Sequence, residues 1–497
     1  MNKIYFLLLI HFLVCIVILA AMPYISTIHV LPYTFIGISF IITVFLVGLL
    51  FMRYPTERMN PFTLLSIIYP LQFSVSLYMV KYHEMVSRSE LMRYYSNIDE
   101  INLLNALKLS YIFSFITLAI AFTFSMTTFW SKALVLVRRA LVDERKLLAV
   151  VVFGITLTEL ILIVSGKVTL QGESLIGKDK QNLEVNPIVA LINPIACLAA
   201  FIAGYQYAST KNKQILLLLF IQFIWFFLWG RRQIVFFSFL VFIGFYFDKK
   251  IILETLRIKG IQRVMFVGFI FFLVLVAANF YQQLRTIGGV AVLQNVSLQS
   301  LQKVFQLYQS SDSDELKNAS AFNLEIRALS TVAAVAHYEK LTSSRSILLG
   351  NGEEIYNNFL KSTPSNFFVD KSSILVMEGL ASKLTNGKVR PHKDLGGTII
   401  LESMIDFGSF GVVLYPVFMT IIIIGFWWCL LRIGSSIVIL WFVIALLYSI
   451  LSMLEGSIGE MFLAMRATIV VVVVYTTIWF MRRIMKGNGA LRYDQMA

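Results

Sequence analysis

Residues 4–22 read IYFLLLIHFLVCIVILAAM, nineteen positions with one histidine and no other charge-bearing side chain. A helix needs about 20 such residues to cross the hydrocarbon core of a bilayer. The run follows Lys3, in the manner of a secretory leader, but the charge pattern downstream requires it in place, so it reads as a first span. Comparable runs recur near 33–52, 61–80, 104–128, 147–165, 188–208, 214–229, 233–247, 264–281, 408–429, 436–454 and 464–481. They are continuous, not alternating, which selects helices over the strands of a membrane barrel.

The whole composition agrees. The chain has 497 residues, 58% hydrophobic and 14% charged, where a soluble domain carries about 25% charged residues. Lipid is then its solvent, and backbone polar groups in lipid must find internal partners. The expected fold is all-α and polytopic, with about twelve spans. It divides into N-terminal helices (1–281), a large loop with short amphipathic helices (282–407), and C-terminal helices with a short tail (408–497).

Sidedness follows from the basic residues. One set of connections holds Arg53 and Arg58, then Lys132, Arg138, Arg139, Arg145 and Lys146, then Lys211 and Lys213. It continues through Lys249, Lys250, Arg257, Lys259, Arg263 and Arg432 to Arg482 and Arg483. That set is expected in the cytoplasm together with both termini, and the 282–407 loop outside. The net charge of +14 then reflects cytoplasmic loops and an anionic substrate, since no nucleic-acid motif accompanies it. Cys15, Cys197 and Cys429 all sit in apolar runs and form no disulfide framework, and no histidine or cysteine spacing marks a metal.

Against that background, cations outside the cytoplasm stand out. Trp229-Gly230-Arg231-Arg232-Gln233 joins two spans with almost no loop, pinning two guanidinium groups at the outer boundary. Arg285 follows the next outward crossing. Planar guanidinium forks grip phosphate oxygens in pairs, so Arg231, Arg232 and Arg285 read as a diphosphate clamp; the plainer alternative is snorkelling at headgroup level. Further on, Arg390-Pro391-His392-Lys393 leads through Gly396-Gly397 to Glu402 and then Gly408 and Gly411. His392 and Glu402 are candidate proton acceptors, and Arg390 a further phosphate contact. Glu455 and Arg466 bracket the last outer turn. They have two options, pairing with each other or joining the cluster, with Glu455 as a third candidate base. Glu159 falls inside the fifth run, where an ionisable side chain is costly and no partner is evident.

These features together resemble the bacterial O-antigen polymerase (Wzy-type) family of oligosaccharide repeat-unit polymerases. The resemblance rests on Gly230-Arg231-Arg232, Arg285, the Gly396 to Gly411 stretch with Glu402, and Glu455-Gly456 to Arg466. It implies a membrane-embedded glycosyltransferase of the C type in a bacterial inner membrane, with its active site facing the periplasm or exterior. It implies block transfer of a glycan from undecaprenyl diphosphate onto a second lipid-linked repeat unit. No cofactor or metal is implied, and a chain-length regulator protein is an implied partner. Pro391-His392 to Glu402 is also similar to the motif region of O-antigen ligases, which pass the glycan to a lipid A core. Lys393 departs from that pattern, where a polar neutral residue is more typical. A third reading, from another class, is a flippase or transporter of lipid-linked oligosaccharide; unequal halves and charges gathered at one surface count against it.

Overall fold

The computed structural model describes residues 3–25, 31–82, 100–165, 187–229, 231–247, 331–343, 347–363, 374–375, 378–384, 398–453 and 456–493. Among the described residues every regular element is a helix. The first helices are α1 (Lys3–Ile25), α2 (Leu31–Arg53), α3 (Pro61–Tyr82), α4 (Glu100–Ser125) and α5 (Thr128–Asp143). Next come α6 (Arg145–Val164), α7 (Pro187–Thr210), α8 (Lys213–Trp229) and α9 (Arg231–Phe245). Helix α10 covers 331–343. The rest are α11 (Glu353–Ser362), α12 (Glu378–Leu384), α13 (Ile399–Phe407), α14 (Gly411–Ile433), α15 (Ser436–Ser452) and α16 (Gly459–Tyr493).

Among the described residues six stretches are long and apolar enough to cross a membrane: Lys3–Tyr24, Pro32–Arg53, Glu100–Ser125, Arg145–Val164, Ile399–Ile433 and Gly459–Thr477. Shorter apolar helices cover Pro61–Leu77, Lys213–Phe227, Gln233–Phe245 and Ser436–Ser452. The expected run at 264–281 lies outside the described residues. The expected run at 408–429 falls on α14, which begins at Gly411; α13 is a separate buried helix ahead of the Gly408–Phe410 turn.

Helices α1 to α4 pack into one bundle and α6 to α9 into a second, with α15 reaching both through α3, α7 and α9. In the second bundle α7 and α9 cross at glycines. A Cβ on Gly244 would stand 2.1 Å from the Phe201 carbonyl oxygen, and one on Gly204 would stand 2.6 Å from that of Val241. Without a hydrophobic force between helices in lipid, such close backbone approach is what holds spans together.

Reading by apolar runs does not find α5. Its buried residues Trp130, Ala133, Val137, Ala140 and Leu141 recur at helical spacing, while Lys132, Arg138 and Arg139 are exposed. Its apolar face packs against α15, and Trp130 against Trp427 of α14. Thr127 caps it by accepting from the Trp130 amide at 3.3 Å.

The turn between α2 and α3 is a 3₁₀ helix, Pro55–Met59, that buries two opposite charges separately. Glu57 accepts from Tyr5 Oη at 2.5 Å and Asn60 Nδ2 at 3.2 Å. Arg58 donates through Nε to the Phe51 carbonyl at 2.9 Å and through Nη1 to the Tyr246 carbonyl at 3.1 Å. Its guanidinium also lies over the Phe242 and Tyr246 rings. Burial pushes Glu57 above the ordinary carboxylate range and Arg58 down to about 10.

Candidate functional site

Helix α13 organises the C-terminal region. Thr398 starts it by accepting from the Leu401 amide at 3.1 Å. Gly408, at φ +60°, ends it. The chain then doubles back so tightly that a Cβ on Gly411 would stand 1.8 Å from the Ser403 carbonyl oxygen. Only glycine fits there, which gives Gly411 a packing reason.

Two acids lie one turn apart on this helix, and so on one face. Asp406 accepts from the Glu354 amide at 2.9 Å and the Ile355 amide at 3.2 Å. Those are orphan donors in the first turn of α11, whose own N-cap, Gly352, has no side chain to offer them. Asp406 also accepts from Tyr415 Oη of α14 at 2.7 Å. Glu402 accepts from the Ile458 amide, just ahead of α16, at 2.8 Å, and from Asn358 Nδ2 of α11 at 3.3 Å. Asn358 Nδ2 reaches Glu354 Oε1 as well, at 2.8 Å. The two carboxyls thus fasten α11 and the start of α16 to α13.

What they fasten is the wall of a cavity of about 1000 Å³. Leu414, Phe418 and Ile422 of α14 line one side, Phe462 and Met465 of α16 another, and Ile355 and Phe359 of α11 the third. Among its described lining residues Arg466 alone is charged. Arg466 Nη1 donates to the Ser362 carbonyl at the end of α11, at 2.7 Å. A guanidinium suits the negative end of a helix, and with five N–H donors it keeps several for a ligand.

Of the residues singled out by sequence, Glu402 and Arg466 are brought to the same short helix, α11. Their roles part there. Glu402 is wholly buried, does not line the cavity and has an oxygen engaged by each of two donors. Its carboxyl, read from sequence as a candidate proton acceptor, ties α11 and the start of α16 to α13 in this structure. Arg466 is exposed at the cavity and bonds to α11. Arg231 and Arg232 open α9, and their side chains are not among those described. Arg285, Arg390, His392 and Glu455 lie outside the described residues. Sequence reading passed over Asp406, Asn358 and Tyr415. The available signal was Glu402 and Asp406 four apart in an otherwise apolar helix, followed by Gly408 and Gly411.

Comparison with protein-family models, with curated proteins and with solved structures found no match to this chain.

Proposed function

We propose that this protein polymerises oligosaccharide repeat units carried on undecaprenyl diphosphate, by block transfer at the outer face of a bacterial inner membrane. The observation that carries the reading is the apolar cavity between α11, α14 and α16 with Arg466 in its wall. A polyprenyl chain is a long hydrocarbon with a diphosphate at one end. It needs an apolar slot among spans and a cation where the slot meets water. The fold belongs, on this reading, to the C-type membrane glycosyltransferases, with about twelve spans and both termini cytoplasmic.

Cleavage of the glycosyl–phosphate bond builds negative charge on the departing diphosphate. Cations fixed in a site that excludes water stabilise that charge more in the transition state than in the ground state. Arg466 supplies one, and Arg231, Arg232, Arg285 and Arg390 join it in this proposal. Asp406 and Glu402 hold α11 over the slot, which keeps Arg466 in register with the tail site. His392 or Glu455 takes the proton from the acceptor hydroxyl.

The test is complementation of a deletion strain with Arg466→Ala and with Phe418→Trp, which narrows the cavity, protein level being controlled. Both variants are expected to lose the polymer ladder and leave single repeats on the final acceptor. Normal ladders from both would overturn the proposal. Long lipid-linked chains left unattached in the deletion strain would identify a ligase instead.

A further inference from the structure

Helix α6 turns one stripe inward, Leu148, Val152, Thr156, Glu159 and Leu162, while Phe153, Leu157 and Ile161 are exposed on its other side. Glu159 therefore points among helices and not toward lipid, and its exposure is 0%. Neither carboxyl oxygen has a hydrogen-bond partner among the described residues. From α8, Gln222 donates through Nε2 to Thr156 Oγ1 at 3.0 Å, and its Oε1 also lacks a partner. From α7, Cys197 lies within electrostatic reach of Glu159.

Among the described residues the neighbourhood holds acceptors and no cation. Beyond Lys213, α8 carries no charged side chain, and α7 carries none at all; their titratable groups are Cys197, Tyr205 and Tyr207 on α7. On α6 the other charged residues are Arg145 and Lys146, at the far end. Helix α5, which abuts the start of α6, presents its basic residues outward. A carboxylate buried without a counter-charge costs several kcal/mol. A single proton removes that cost. It neutralises the carboxyl and turns it into an O–H donor.

We propose that Glu159 forms a proton-binding site inside the α6–α7–α8 bundle. A hard metal cation fits the place poorly. Such ions take about six to eight oxygens, whereas the side chains here offer the two of Glu159, one of Gln222 and one of Thr156. Glu159 lies five residues from Val164 and fourteen from Arg145, about 7.5 Å and about 21 Å along the helix axis. Of the two ends of α6, the one at Val164 is the nearer to Glu159. When it ionises, a bare carboxylate remains between α6 and α8 and weakens their contact.

The test is direct and independent of polymer formation, so its failure leaves the polymerase reading standing, and the reverse holds too. The full chain in lipid nanodiscs is treated with dicyclohexylcarbodiimide, which converts a protonated carboxyl in apolar surroundings to a stable N-acylurea. Peptide mass mapping is expected to find the adduct on Glu159 at neutral pH. Labelling should fall about tenfold per pH unit once the group ionises, with no change when sodium chloride replaces potassium chloride. Infrared difference spectra between wild type and Glu159→Gln need no reagent access, and should show the C=O stretch of a neutral carboxylic acid in the wild type alone. Absence of both adduct and band would overturn the proposal, as would protection by sodium at constant pH.

Discussion

Glu402 and Glu159 are both glutamates on apolar helices, and both have 0% exposure. Glu402 is met by a backbone amide and a side-chain amide, each donated from a different helical segment. Glu159 is met by no donor among the described residues. The first is an acid the fold was built around. The second is an acid the fold encloses without satisfying, and that is where a proton belongs. Burial alone does not distinguish architecture from function; the inventory of donors does.

The sharpest way to break this comparison is to truncate each acid. Glu402→Ala leaves the Ile458 amide without an acceptor, removes one of the acceptors of Asn358 Nδ2 and opens a void beside α11. A cost of about 3–5 kcal/mol is expected, seen as a large fall in thermal midpoint in detergent or loss of folded protein. Glu402→Gln, which keeps an acceptor oxygen, should recover part of it. Wild-type stability in Glu402→Ala would show that the network does not hold the C-terminal helices. Asp406→Ala comes next, at about 1–2 kcal/mol, through loss of the α11 cap and of the Tyr415 bond. It should also reduce polymer yield with Arg466 intact, because α11 carries the Ser362 carbonyl that orients that arginine.

A smaller effect separates buried acids from a buried base. His337 on α10 is held below its ordinary 6.5, chiefly by burial and then by Lys340 nearby. The folded state therefore binds fewer protons than the unfolded chain in the window below 6.5, and stability is lost as pH falls through it. Glu57 has the opposite sign. Its carboxyl is raised by burial, so the folded state binds protons better and this contribution grows on acidification. His337 is only partly covered, which discounts the effect to about one or two degrees of midpoint between pH 7 and 5.5. His337→Gln should remove the acid-side loss; an unchanged pH profile would show that His337 stays solvated.

How far these features could be read from the sequence follows the same division. Long apolar runs identify α1, α2, α4 and α6, because a continuous lipid-facing helix needs no information beyond its own residues. Helix α5 escapes that reading, since its buried stripe is only one side of a basic helix. The Glu402–Asp406 device escapes as well. Its meaning depends on Glu354, Asn358 and Ile458, which are 44 to 56 positions from Glu402 and reach it only by folding. Arg466 was legible as a cation in the wrong place. Its partner, the Ser362 carbonyl 104 residues earlier, was not.

The slope of stability against pH is the most informative about Glu159. Glutamine has nearly the shape of a protonated glutamate. If Glu159 is neutral in the folded protein, folding takes up a proton that the unfolded glutamate lacks above its ordinary pKa of about 4.3, at a cost of about 1.4 kcal/mol per pH unit. Glu159→Gln should then be close to neutral for stability near about pH 4 and stabilising by about 3–4 kcal/mol at about pH 7. If Glu159 is ionised in both states, the substitution removes an uncompensated buried charge, and the gain of about 3 kcal/mol or more does not change with pH above about 6. The two outcomes differ in slope and do not depend on activity. The wild type should lose stability relative to the glutamine variant as pH rises from the unfolded value toward the folded one. Parallel curves for the two proteins across that range would mean that no proton is bound at Glu159. The glutamate would then be an ordinary buried group.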